Sequence, residues 1–201
     1  MAKTKTSATV KNPRQRLSRN ERQRQLMDTA WRLVRAEGTD ALTLGRLAEQ
    51  AGVTKPVVYD HFGTREGLLA ALYRDFDSRH TARMDAALAE SPATLQDRAT
   101  VIAEAYVDCV PAQGREIPGV VAALVGSPEL DRVKRDCETD VMQRCHAALS
   151  PFAKKNALST ARLRGMLGAA DALSYATANG EITIAQAKDE LAEIIMAMVK
   201  R

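Results

Sequence analysis

Apolar residues recur at three- and four-residue steps along nearly all of this 201-residue chain, and no segment alternates as a half-buried strand would. That period points to helix throughout. The composition agrees, being 45% hydrophobic but 4% aromatic and rich in Ala and Leu. Start and stop signals divide the pattern into about nine helices. Ser18 and Glu21 form a capping box for the first, Leu26, Ala30, Leu33 and Val34 make its stripe, and Gly38 ends it. Thr43 caps the second, whose inner face is Leu44, Leu47, Ala48 and Ala51, and Gly52 ends it. Thr54 caps the third, with Pro56 in the first turn and Val58 and Phe62 turned inward.

The fourth helix is predicted to run from Thr64 to about Ala89, with Pro92 marking the break, and the fifth from about Ala93 to Val110, closed by Pro111 and Gly114. "IPGVVAALVG" (117–126) reads as a short apolar sixth. Ser127 and Pro128 open the seventh, which carries Leu130, Val133, Cys137, Val141, Cys145, Ala148 and Phe152 on one face. The eighth runs from the Ser159 cap to about Asn179, where Gly180 stops it. A Thr183–Gln186 capping box opens the ninth.

The length suits one large or two small domains, enough to bury roughly 70% of the unfolded surface without a disulfide or a metal. No apolar run reaches the ~18 residues of a membrane span. The basic start lacks the apolar stretch of a secretory signal, and Cys109, Cys137 and Cys145 are odd in number and lack metal-ligand spacing. Reduced thiols in a cytoplasm are therefore expected. Cys137 and Cys145 lie ~12 Å apart along a helix, too far for a disulfide. They share their face with apolar residues, so small core side chains is the better reading than a redox sensor.

The net charge of +4 is uneven. Residues 1–67 hold 13 Lys/Arg against 7 Asp/Glu, and the remainder 16 against 18. A basic third on a near-neutral body predicts a polyanionic partner. Residues 1–17 read as a basic arm with no apolar pattern. Enzyme motifs are missing: "GREIPG" is half a phosphate loop, but Val120 and Val121 replace its Lys and Ser/Thr, and no nucleophile elbow, zinc-protease or dinucleotide fingerprint occurs. No enzyme activity, cofactor, metal site or membrane partner is expected.

Residues 43–62 read as helix, tight turn, helix. Gly52 suits the left-handed turn position that a Cβ opposes. In such a unit the N-terminal residues of the second helix face base edges in the major groove of double-stranded DNA. Thr54, Lys55, Pro56 and Val57 occupy that end. Lys55 suits guanine O6 and N7, and Pro56 and Val57 suit thymine methyls.

The stretch "LTLGRLAEQAGVTKPVVYDHFGTREGLLAAL" (42–72) resembles the DNA-binding signature of TetR/AcrR-family transcriptional repressors. The matching features are Thr43, Leu47-Ala48, Ala51-Gly52-Val53, Tyr59-Asp60-His61-Phe62, and Arg65 before "EGLL". The resemblance implies that Thr43 contacts phosphate, that Tyr59 and His61 form a phosphate-binding pair, that Arg65 is a basic clamp, and that Lys55, Pro56 and Val57 face bases. Gly45 departs from members that carry a base-reading Arg there. Arg46 beside it is left to reach phosphate, and Arg14, Arg16 and Arg19 are candidates for an arm.

The resemblance also implies three segments. These are the arm at 1–17, a helix-turn-helix domain at 18–65, and a helical ligand-binding and dimerisation domain at 66–201. Pocket candidates in the last are Tyr73, Tyr106, Cys109, Val121, Leu124, Val125, Cys137, Val141 and Tyr175, lining a site for a small, largely apolar effector. The small residues Gly165, Gly168, Ala169, Ala172 and Ala176, with Leu191, Ile194, Ile195 and Met198, are candidates for a homodimer seam, two helices from each copy making a four-helix bundle. The expected function is a ligand-released repressor that binds a palindromic operator as a dimer. A constitutive or redox-responsive regulator, and a nonspecific DNA-coating protein, stay open as alternatives.

Overall fold

The computed structural model describes residues 17–112, 116–154 and 158–200. Among them run nine α-helices and no strand: α1 (Arg19–Glu37), α2 (Leu44–Ala51), α3 (Lys55–Phe62), α4 (Arg65–Glu90), α5 (Leu95–Ala112), α6 (Glu116–Leu124), α7 (Pro128–Leu149), α8 (Thr160–Ala178) and α9 (Ile184–Lys200). A short 3-10 turn, Ser150–Phe152, follows α7. None of these helices is long and apolar enough to cross a membrane.

The expected caps form. The Glu21 amide donates to the Ser18 hydroxyl, and the Glu21 carboxylate accepts from the Ser18 amide at 2.8 Å. The hydroxyls of Thr43, Thr64, Ser127 and Ser159 each accept from an amide in the first turn that follows. Thr183 and Gln186 reciprocate as a second box. Two details differ from expectation. Thr54 occupies the cap position of α3, but its hydroxyl makes no cap bond. The fifth helix begins at Leu95, because the Thr94 hydroxyl takes the Asp97 amide, and it continues through Pro111 to Ala112. Its expected stop at Gly114 lies outside the described residues.

The apolar side chains gather into two cores. One contains Leu26, Ala30, Leu33, Leu47, Val58, Phe62, Leu69 and Leu72 of α1–α4. It also takes in Ile117, Val120 and Leu124 of α6, and Leu130, Val133 and Cys137 of the first half of α7. The other contains Ile102 and Val107 of α5, Cys145 and Leu149 of the second half of α7, and Met166, Leu167, Leu191, Ile195 and Val199 of α8 and α9. Each fully buried Leu or Ile contributes roughly 1.5–3 kcal/mol of burial free energy. The seam between the cores therefore runs across α4 and α7, and α6 packs with the N-terminal helices.

The joint between α3 and α4 is tight. A Cβ on Gly67 would stand 2.2 Å from the Phe62 carbonyl oxygen, so the backbone there has room only for hydrogen. Arg65, two residues earlier, donates from Nε to the Leu42 carbonyl and from Nη2 to the Thr39 carbonyl, both at 2.9 Å. Trp31 joins α1 to the same helix, its Nε1 donating to Asp75 Oδ2 at 2.7 Å.

Two glycine-to-alanine substitutions should have opposite effects. Gly67→Ala forces backbone movement and should cost roughly 1–3 kcal/mol. At Gly45 a new Cβ would meet only the Lys55 side chain, at an ordinary 3.6 Å. Gly45→Ala should therefore gain up to ~1 kcal/mol of helix propensity. Urea melts of the two variants decide this, and equal midpoints would contradict it.

Candidate nucleic-acid interface

The turn between α2 and α3 has the geometry that its sequence demands. Gly52 sits at φ 65 and ψ 36, the left-handed region. Its amide and that of Val53 close the end of α2 through the carbonyls of Ala48 and Glu49. Val58 and Phe62 anchor α3 from below. The other face of α3 is open: Thr54, Lys55, Pro56, Tyr59 and Asp60 are exposed, and Val57 and His61 half-exposed. Tyr59 is 53% exposed on that face.

Charge converges on this face. The Lys55 chain lies across Gly45, its Nζ 3.9 Å from where a Cβ would be, and the Thr43 hydroxyl is equally close to the same point. The glycine that removes a base-reading arginine thus leaves a path for the lysine. Arg19 reaches Asp60, with Nη1 3.1 Å from Oδ2 and Nη2 donating to the Asp60 carbonyl. Both groups are exposed, so the pair is weak and a phosphate can displace the carboxylate. Burial depresses the His61 pKa below 6.5, and Arg19 and Arg22 add to the effect against Asp60.

Two of the expected basic contacts are placed differently. Arg65 is turned onto the α1–α2 loop, where its Nε and one terminal nitrogen are occupied by carbonyls. It holds the head to α4, and a phosphate role there would have to be shared with that bond pair. Arg46 pairs with Glu37 at 3.0 Å and lies 3.8 Å from Glu49. Arg14 and Arg16 lie outside the described residues.

The body holds a cavity of about 450 Å³ at the seam between the cores, lined by Tyr73, Asp77, Tyr106, Lys134, Cys137, Glu138, Val141, Arg164, Leu167, Gly168 and Asp171. Of the pocket candidates, Tyr73, Tyr106, Cys137 and Val141 are there. Leu124 belongs to the first core, with Val121 against it. Val125 and Tyr175 are exposed at 73% and 69%. Cys109 is half-buried and outside the lining. Sequence reasoning missed the acidic members. The available signal was Asp77, four residues after Tyr73 and seven before the buried Met84, a charge set into the inward stripe of α4. Burial pushes the thiols of Cys137 and Cys145 up to about 12, which makes them poor thiolates and argues against redox sensing.

The seam candidates separate by face. Leu191, Ile195 and Met198 are buried in the protomer's own second core and are not available to a partner, because the apolar stripe of α9 packs on α5. Ile194 is half-buried. On α8, Gly165, Gly168 and Ala172 are exposed, and Ala169 and Ala176 half-buried.

Residues 26–72 match the family described as bacterial regulatory proteins, tetR family. Over 64 residues the chain is 41% identical to the HTH-type transcriptional activator FasR of Mycolicibacterium smegmatis, a match spanning 31% of this chain and 29% of that one. Solved structures share the fold more widely. A transcriptional regulator from Rhodococcus sp. Rha1 has a TM-score of 0.65 at 18% identity, covering 89% of this chain and 96% of its own. A tetR-family transcriptional regulator from Streptomyces coelicolor has a TM-score of 0.66 at 20% identity, covering 89% and 80%.

The two basic residues should behave differently in the free protein. Arg65→Ala strands two loop carbonyls and should lower stability by ~1.5–3 kcal/mol, the range for hydrogen bonds to a charged group. Lys55→Ala should leave it within about 0.5 kcal/mol while reducing DNA affinity by ~1–3 kcal/mol. Denaturation and fluorescence anisotropy on the same samples separate the effects. An Arg65→Ala protein of unchanged stability would remove its structural role.

Proposed function

We propose that this chain, a member of the tetR family of bacterial regulatory proteins by its N-terminal domain, is a dimeric, sequence-specific DNA-binding transcriptional repressor released by a small-molecule effector. The observation that carries the reading is the face of α3. It is anchored by Val58 and Phe62, and open at Lys55, Pro56, Val57, Tyr59 and His61. Base contacts come from the first turn of α3, and phosphate contacts from Thr43, Tyr59, His61 and Arg19.

Two such helices related by a two-fold axis read a palindromic operator. The exposed face of α8, with Gly165, Gly168, Ala172 and Tyr175, is the surface that supports a second copy. Small residues there allow two helices to approach closely. Repression is the output that needs least, since a dimer seated on a promoter excludes polymerase without a further contact. The relative FasR is named an activator, and reporter assays on the target promoter decide the sign for this chain.

Effector release follows from linkage. A ligand that prefers the conformation with mis-spaced recognition helices lowers operator affinity by the factor by which operator lowers ligand affinity. A tenfold release requires ~1.4 kcal/mol of differential binding. The seam cavity supports the site, because α4 and α7 line it and also enter the core of the DNA-reading head.

Light scattering at micromolar concentration should give about twice 21.9 kDa. Ala172→Glu should split that dimer, because it would bury an unpaired charge. Selection from a random DNA pool should return a palindrome whose half-sites lie one or more helical turns apart. A monomer that enriches no motif would leave only salt-dependent, nonspecific coating of DNA.

A further inference from the structure

The seam cavity is lined by four helices, with Asp77 half-buried in its wall and Lys134, Arg164, Gly168 and Asp171 exposed. Tyr73 and Asp77 come from α4, Tyr106 from α5, Cys137 and Val141 from α7, and Leu167 and Asp171 from α8. Its volume of about 450 Å³ falls within the range of cavities that hold small organic ligands. Two tyrosine rings, Val141 and Leu167 supply apolar wall. The charged groups settle which polar chemistry is missing.

Asp77 is the inner carboxylate, half-buried one turn beyond Tyr73. The Cys137 thiol donates to it from α7. The cations near it are already engaged. Arg144 of α7 is paired with Asp85. His80, on its own helix, stacks on Phe76 with ring centroids 6.2 Å apart and hydrogen-bonds the Ala105 carbonyl of α5. Burial also depresses the His80 pKa, which favours the neutral ring. Asp140, again from α7, adds a like charge. His80 and Arg144 act on the Asp77 carboxylate through space, and the ion pair of Arg144 is made with Asp85 instead. Nearer the mouth Arg164 is paired with Glu138, and Lys134 faces Asp171. Arg164 is thus engaged with Glu138 and Lys134 acts on Asp171, while Asp77 has the Cys137 thiol as its partner.

A half-buried carboxylate in that setting costs the free protein stability. Burial raises the pKa of Asp77 above its ordinary 3.8. Its folded-state pKa therefore lies above the unfolded value, and its contribution to stability is lost as pH rises through the folded pKa. Burial thus works against the charged form of Asp77 in the free protein, and a cation beside it would offset that cost.

We propose that the seam cavity binds a small organic cation, its ammonium against the Asp77 carboxylate and its apolar part between Tyr73, Tyr106 and Leu167. The inference rests on the reading of the cavity as the effector site and narrows that site to one ligand class. The tyrosine rings add cation–π attraction to the ion pair, and the desolvated setting strengthens both. Anions meet Asp77 as a like charge. A wholly apolar ligand leaves the carboxylate buried and unanswered.

The test uses the full-length protein, calorimetry, and three probes of one size: 4-phenylbutylamine, 4-phenylbutanol and 4-phenylbutyrate. The amine should bind at least tenfold tighter than the alcohol, and the acid weakest. Asp77→Asn should erase the tenfold preference while melting at the same temperature as the parent or higher, so lost binding cannot be charged to misfolding. Val141→Trp should block the amine by filling the cavity. If the alcohol or acid binds better than the amine and Val141→Trp blocks it, the cavity stands as the site and the cationic class is overturned. Failure of all three probes to bind, or amine binding that survives both Asp77→Asn and Val141→Trp, overturns the proposal. Operator anisotropy with the amine present reads the parent hypothesis separately: binding without any change in DNA affinity keeps the cation site and removes effector release.

Discussion

The Arg65 guanidinium holds the loop between α1 and α2 by two carbonyls, and the placement of the reading helices depends on that attachment. Its bonds to Leu42 and Thr39 tie the loop to the first turn of α4. The same Thr39 stands against α6: a Cβ on Gly119 would be 2.6 Å from its hydroxyl oxygen. A short segment of backbone is thereby gripped from two sides. Gly67 closes the opposite side by letting α4 meet the end of α3 without a side chain between them. The three-helix head is fixed to α4 and α6 by geometry in which small shifts have nowhere to go, because close-packed contacts are bistable rather than elastic.

That attachment makes α4 the element shared by the three-helix head and the cavity. At 26 residues it spans ~39 Å, from Arg65 under the loop to the second core. Tyr73 and Asp77 on it line the cavity, and Asp75, two residues away, accepts from Trp31 in the head. Ion pairs at Arg74–Asp136 and Arg144–Asp85 bind α4 to α7 on both sides of the seam. Under the proposed effector role, a group wedged between Asp77 and α7 would act on the two cavity helices that also enter the core of the head.

The sequence made the helices legible because its punctuation is local. Ser18–Glu21, Thr43, Gly52, Ser127 and Thr183–Gln186 each act within one turn, and all of them form in the structure. The reading face was legible for a related reason: Thr54 to His61 lie on one short helix, and their exposure follows from Val58 and Phe62 facing in. What failed to show was anything requiring two distant segments. Nothing near Arg65 says that it meets the carbonyls of Thr39 and Leu42. The stripe Leu191, Ile195 and Met198 is apolar whether it faces α5 or a second protomer, so periodicity alone could not choose, and the fold assigned it to the core. The cavity was half-legible: Tyr73, Tyr106, Cys137 and Val141 follow apolar stripes, whereas Asp171 reaches the site only through the crossing of α8 over α7.

In the proposed function, the face of α3 around Lys55 and Tyr59 reads DNA while the body is a separate, coupled unit. Amide hydrogen exchange, with and without the DNA duplex recovered by selection, tests it most directly. Added protection is expected at residues 52–62 and at the start of α2, with α9 unchanged. Protection confined to the body, or none within 43–62, would contradict it.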